Sequence, residues 1–200
     1  MILPKIREIK EALTALFSAP YTTRFPSQPF EAVKEYRGIP RYHAEYCIGC
    51  GACAQVCPAK AITMQDDLKR NMRVLTVDLA SCMNCGQCEE KCITIKGIQL
   101  SNEHSLFYAQ RTEPQVFERV EKPLICCESC GAPIACIDHL EWIKLRLGAK
   151  AYAHPNFLLL LQTKRGEVEP GKIKEQLRRE DQIKWTCARC RQMIVTIDEF

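Results

Sequence analysis

The chain has 200 residues, 46% hydrophobic and 26% charged, with 28 Lys and Arg against 24 Asp and Glu for a formal charge of +4. This composition excludes disorder as the dominant state. The longest apolar run, Phe157–Leu161, falls far short of the roughly 18–20 residues that cross a bilayer, which excludes a direct membrane span.

The first predicted element is an amphipathic helix. Leu3, Ile6, Ile9, Leu13, Leu16 and Phe17 recur at helical spacing, with Lys5, Arg7, Lys10 and Glu11 off the stripe. Charges interleaved with apolar residues leave neither the apolar core nor the cleavage site of a signal peptide, so cytoplasmic residence is expected. Pro20, Pro26, Pro29 and Pro40 then predict an extended arm. Residues 1–40 read as a docking segment. Glu8 and Glu11 dilute the cationic side of the helix, which favours a protein partner over lipid.

Residues 41–112 predict a short strand at Arg41–Tyr46, a helical turn at Ala54–Val56, and a hairpin of Ala61–Met64 with Met72–Val77 around DDLKRN. A strand at Ile98–Leu100 closes the region. Within it lie eight of the chain's 14 cysteines, in two matching runs: CIGCGACAQVCPAKAI from Cys47 and, 35 residues on, CMNCGQCEEKCITIKGI from Cys82. This is an internal duplication, and it predicts two small α+β halves related by pseudo-two-fold symmetry. Tight repeated spacings in a chain without an export signal favour metal over disulfides.

Each run has the form C-x2-C-x2-C-x3-C, the spacing of bacterial two-cluster ferredoxins. Three closely spaced cysteines wrap one face of a cubane, and the fourth leaves to ligate the other cluster. The rule assigns Cys47, Cys50, Cys53 and Cys92 to one 4Fe-4S cluster and Cys82, Cys85, Cys88 and Cys57 to the other. Gly49, Gly51 and Gly86 fit the same logic, because the loops need backbone close to sulfide and N–H groups free to bond sulfur. Zinc prefers two separated pairs to runs of four. Pro58 follows Cys57, but Ile93 follows Cys92 and the second run has one extra residue. A different turn is expected there, leaving the potential of the cluster that Cys92 completes open. A cubane with four thiolates exchanges one electron at a time and offers no open iron, so the spacing points to electron transfer rather than catalysis.

Residues 113–200 hold the other six cysteines. Cys127 with Cys130 and Cys187 with Cys190 form two C-x2-C pairs suited to one tetrahedral zinc. The 56 residues between them exceed the roughly 15–20 of a compact zinc ribbon, so a zinc-ribbon-like segment with a helical insertion is expected. A third iron-sulfur cluster or unmetallated thiols are the alternatives, and Cys126 could replace Cys127. Cys136, with His139 beyond it, is another ligand source but reads better as a buried thiol; His43, His104 and His154 are assigned no role. Helices are predicted at Asp138–Leu147 and Lys172–Ile183, and a terminal strand at Met193–Ile197. Lys164–Arg191 holds nine basic and five acidic residues, which reads as a solvated face rather than a nucleic-acid site. Two oxidised clusters and a zinc, each about −2 with its thiolates, lower the formal charge to about −2, so no nucleic-acid partner is expected.

The duplicated motif, the preceding TTRFPSQPFEAVKEYRGIPRYHAEYCIGC and the following LSNEHSLFYAQRTE resemble the two-cluster ferredoxin-type subunit of respiratory complex I and of complex I-related membrane-bound nickel-iron hydrogenases. CCESC and CARC resemble the extra segment of the corresponding subunit in formate hydrogenlyase and hydrogenase-4. The resemblance implies an electron-relay subunit with no active site of its own. Its partners would be other subunits, including the small subunit that accepts electrons and a membrane module, and it would sit peripherally at the inner face of the cell membrane. A freestanding ferredoxin-like carrier, a relay for a soluble reductase and a zinc and iron-sulfur nucleic-acid-binding protein are the alternatives.

Overall fold

The structure, a computed structural model, describes residues 5–20, 22, 27–28, 32–104, 110–164 and 184–196. It divides into two units, Met1–Glu35 and Tyr36–Phe200.

The first unit contains helix α1, Ile6–Phe17, the expected amphipathic helix; Leu3 lies outside the described residues. The Glu8 carboxylate accepts the Lys5 N–H at 3.0 Å, relieving one of the N–H groups that a helix start leaves unpaired. Arg7 and Glu11 pair one turn apart. Ile6, Leu13, Leu16 and Phe17 are exposed. Most of the predicted arm falls outside the described residues.

The second unit opens with strand β1 (Pro40–Tyr42), half as long as expected because residues 44–46 form a turn. Then come α2 (Ala52–Gln55), β2 (Ile62–Asp67), β3 (Met72–Asp78), α3 (Gln87–Glu90) and β4 (Ile98–Leu100). β1 pairs antiparallel with β4 and β2 with β3, Ile62 opposite Val77. The turn between β2 and β3 forms because Asp67 Oδ1 accepts the N–H groups of Lys69 and Arg70 and Asn71 tolerates a left-handed φ of 51°. Gly51 and Gly86 hold equivalent left-handed N-cap positions on α2 and α3, so the duplication is visible in the backbone.

Two strands absent from the sequence reading extend this sheet: β5 (Phe117–Cys126) and β6 (Pro133–Cys136), in the order β2-β3-β5-β6. Leu75 lies opposite Val120. α4 (Ile137–Leu147) matches the predicted helix, and α5 (Pro155–Lys164) follows. The predicted terminal strand is a helix, α6 (Ala188–Thr196). Its Cys190 and Ile194 are one turn apart and both buried, so packing overrides the strand propensity of the Ile-Val-Thr run. The predicted helix Lys172–Ile183 lies outside the described residues.

Two cores result. Ile39, Ile62, Leu75, Val77, Leu79, Ile98 and Val120 pack around Cys47, Cys53 and Cys88. Leu140, Ala151, Phe157, Leu159, Leu160 and Trp185 form the other.

Candidate metal centres

The turn that leads into the first run is built by His43, whose carbonyl accepts the N–H groups of Tyr46 (3.0 Å) and Cys47 (2.8 Å). The chain then doubles back through Gly49, at φ 68°, and Cys53 comes in on α2. In the second run Asn84 stands where Gly49 stands in the first, at φ 51°, a conformation that Asn tolerates better than most residues.

These loops surround two small cavities. One is lined by Cys47, Cys50, Cys53 and Cys92, the other by Cys57, Cys82, Cys85 and Cys88. The fourth cysteine of each run therefore faces the cavity of the other run. Neither lining contains a charged side chain, as expected of a site built for thiolates alone.

The expectation of a different turn after Cys92 is corrected. Lys60 N–H bonds the Cys57 carbonyl (3.2 Å) and Ile95 N–H the Cys92 carbonyl (2.9 Å), with Lys60 and Ile95 both left-handed at φ 50° and 67°. The turn is the same, and the extra residue is absorbed after it, at Lys96–Gly97. A Cβ on Gly97 would lie 3.1 Å from Cys92 Sγ and 3.2 Å from Cys47 Cα. Glycine is what lets the two runs meet there.

Burial pushes the Cys53 and Cys88 thiols up to about 11 and raises those of Cys47, Cys50 and Cys82. Thiols raised in this way stay protonated at neutral pH, so an entering metal must displace protons. At Cys92 burial also pushes upward. There the Thr94 hydroxyl and the N–H groups of Thr94, Ile98 and Gly97 outweigh it, and the thiol lies below its ordinary value. The Tyr42 hydroxyl lies 3.6 Å from Cys53 Sγ.

The remaining centre is tighter. The Sγ atoms of Cys127, Cys130, Cys187 and Cys190 all lie within 4.8 Å of one another, and Cys130 and Cys187 are 3.7 Å apart. Four sulfurs at roughly 2.3 Å from one tetrahedral ion are separated by about 3.8 Å. The set therefore fits a single ion better than a cubane, whose thiolates sit on four different irons. Among the described residues no other set of cysteine, histidine or carboxylate atoms is drawn together so closely.

One pair sits in the β5–β6 connection, where Gly131 N–H bonds the Cys127 carbonyl and Cys127 N–H the Ala132 carbonyl; the other opens α6. Glu128 N–H donates to the Trp185 carbonyl at 2.8 Å and joins them. Arg191, beside the second pair, donates to Asn156 Oδ1 (2.8 Å) and the Thr186 carbonyl (3.0 Å). Burial would raise the Cys127 thiol, but N–H groups of Cys187, Cys130 and Ser129 bring it down to about 7. Burial raises Cys190.

Cys126 turns away toward Asn71 Oδ1 at 3.5 Å, and Cys136, fully buried, bonds the Gly49 carbonyl at 3.6 Å. Neither belongs to the four-cysteine set. The basic stretch from Lys164 lies mostly outside the described residues.

Residues 46–95 match the family described as the 4Fe-4S dicluster domain. This segment is a 4Fe-4S dicluster domain. The chain is 28% identical over 121 residues to NADH-quinone oxidoreductase subunit I 2 of Geobacter metallireducens, covering 56% of this chain and 92% of that one. It is 32% identical over 127 residues to formate hydrogenlyase subunit 6 of Escherichia coli, covering 60% of this chain and 66% of the relative. A chain of the membrane-bound sulfane sulfur reductase, an archaeal respiratory membrane complex, aligns at TM-score 0.41 and 26% identity, over 55% of this chain and 59% of that one.

Around the dicluster domain the sequence reading missed Lys122 and Arg73. Arg73 donates to the Gly49 carbonyl at 3.1 Å and pairs with Asp66. The available signal was the inward slot of an alternating strand.

Proposed function

We propose that the chain is an electron-relay subunit of a multi-subunit, membrane-associated oxidoreductase of the formate hydrogenlyase or complex I kind. Cys47, Cys50, Cys53 and Cys92 would hold one 4Fe-4S cluster and Cys57, Cys82, Cys85 and Cys88 the other. The observation that carries this reading is the exchange of the fourth cysteine between the two cavities. The relatives named for a quinone oxidoreductase subunit and a hydrogenlyase subunit support it.

When bound, such clusters supply one-electron transfer at potentials that the protein tunes. The chain's own part is to hold each cluster among N–H groups and exclude water from it. It also brings the pair close: Cys53 and Cys88 share one core. The four-cysteine set would bind zinc as a structural clasp between the β5–β6 connection and α6, in a zinc-ribbon-like segment.

No helix of the described residues is long and apolar enough to cross a membrane. Attachment at the inner face of the cell membrane would therefore run through partner subunits, including the small subunit that takes the electrons and a membrane module. Anaerobic affinity purification of the native chain tests this. A stable complex with a hydrogenase-like or quinone-reductase-like subunit is expected. Recovery of a metal-replete chain with no partner at any salt concentration would contradict the reading.

A further inference from the structure

β5 alternates: Val120, Lys122 and Leu124 point inward, and Arg119, Glu121 and Pro123 outward. The middle inward slot thus carries an ammonium, with Lys122 only 8% exposed. Burying such a charge costs several kcal/mol unless it is well paired, and an apolar residue would suit the slot as Val120 and Leu124 do.

The direction in which Lys122 points explains its presence. Its Nζ donates to the Ala44 carbonyl at 2.5 Å and to Asp138 Oδ2 at 2.8 Å. Ala44 belongs to the turn that delivers Cys47, and the Lys122 Cβ lies 3.2 Å from where a side chain on Gly49 would begin. The stem therefore runs under the loop of the first run, on the outer side of a lining that carries no charge of its own. Arg73 braces the same loop at the Gly49 carbonyl. The second run differs: Asp78 lies near it, paired with Arg111, and Arg37 reaches the Cys85 carbonyl from the exposed surface at 3.4 Å.

We propose that Lys122 is a positioning residue that raises the reduction potential of the Cys47/Cys50/Cys53/Cys92 centre above that of its neighbour. The proposal rests on the ligand reading above. Reduction adds one negative charge to a centre, and a buried cation beside it favours that state, since net charge and hydrogen bonds to sulfur set the potential of such clusters. With both clusters bound, a single electron delivered by the donor subunit of the relay would rest at the Lys122 end, with no proton or covalent bond changed. Asp138 opposes the effect, but its side chain is 37% exposed against 10% for Lys122, so water screens it more.

The test is an EPR-monitored potentiometric titration of the full holo chain, with the centre identified by its damage in Cys92→Ser. Lys122→Met should lower the potential of that centre and leave the other in place. Asp138→Asn should raise it, and Lys122→Arg should stay near the native value. Iron content is measured alongside; if Lys122→Met loses iron, the sign of the Asp138→Asn shift decides. Unchanged potentials in iron-replete Lys122→Met, equal shifts of both centres, or a downward shift in Asp138→Asn would overturn the assignment. A native chain without two reducible centres would overturn the ligand reading together with it.

Discussion

Gly49 and Asn84 occupy the same place in the two runs and differ in what surrounds them. A Cβ on Gly49 would meet Cys136 Sγ at 2.6 Å, and the residue is left-handed at φ 68°. Gly49→Ala therefore combines a left-handed penalty of about 1–2 kcal/mol with overpacking of about 1–3 kcal/mol. It should lower the iron content through loss of the first cluster, whereas Asn84→Gly should keep both clusters; equal iron content in the two variants would contradict this. Ile95, a β-branched residue at φ 67° with 74% of its surface exposed, sits in a conformation that such residues rarely adopt. Ile95→Gly should relieve about 0.5–1 kcal/mol net of glycine's greater chain entropy. In a domain of this size that raises the melting temperature of the holo chain by about 1–4 °C, and a fall on calorimetry would refute the strain.

Elements differ in how plainly their residues announced them. α1 and β4 carry undisturbed periodicities, and the β2–β3 hairpin is flagged by its β-branched strands and the DDLKRN turn. β5 was missed because Lys122 occupies an inward position and Pro123 follows it, so its alternation looks broken until Ala44 and Asp138 supply the partners. α6 was misread because Met193–Thr196 favours a strand locally, while the burial of Cys190 and Ile194 exists only in three dimensions. The grouping of eight cysteines around two cavities and the meeting of the two C-terminal pairs were legible because spacing alone carries them. The choice between Cys126 and Cys127 was not, because it depends on where the β5–β6 connection aims each side chain.

At this scale Leu75, 1% exposed and opposite Val120, is the joint between the hairpin and its extension. Leu75→Ala should cost about 2–5 kcal/mol, read as a lower unfolding midpoint. Cys190→Ser should release the C-terminal metal with both iron-sulfur spectra retained. Loss of the cluster signals in that variant would show that the clasp is not an independent site.

For the whole molecule, burial raises the thiols of Cys47, Cys50, Cys53, Cys82 and Cys88, and Cys47, Cys53 and Cys88 belong to the first core itself. The apo chain should therefore fail to fold natively over residues 41–100, since metal binding is coupled to folding in sites of this kind. Native-like circular dichroism after iron removal would contradict that. Electron relay by this chain depends above all on two cubanes that share cysteines across the duplication. Its most direct test is metal analysis with EPR of the anaerobically purified, fully reduced chain. Close to eight irons and one zinc per chain, with the spectrum of two interacting clusters, is the predicted result; four irons or none, or a reduced chain without an iron-sulfur signal, would contradict it.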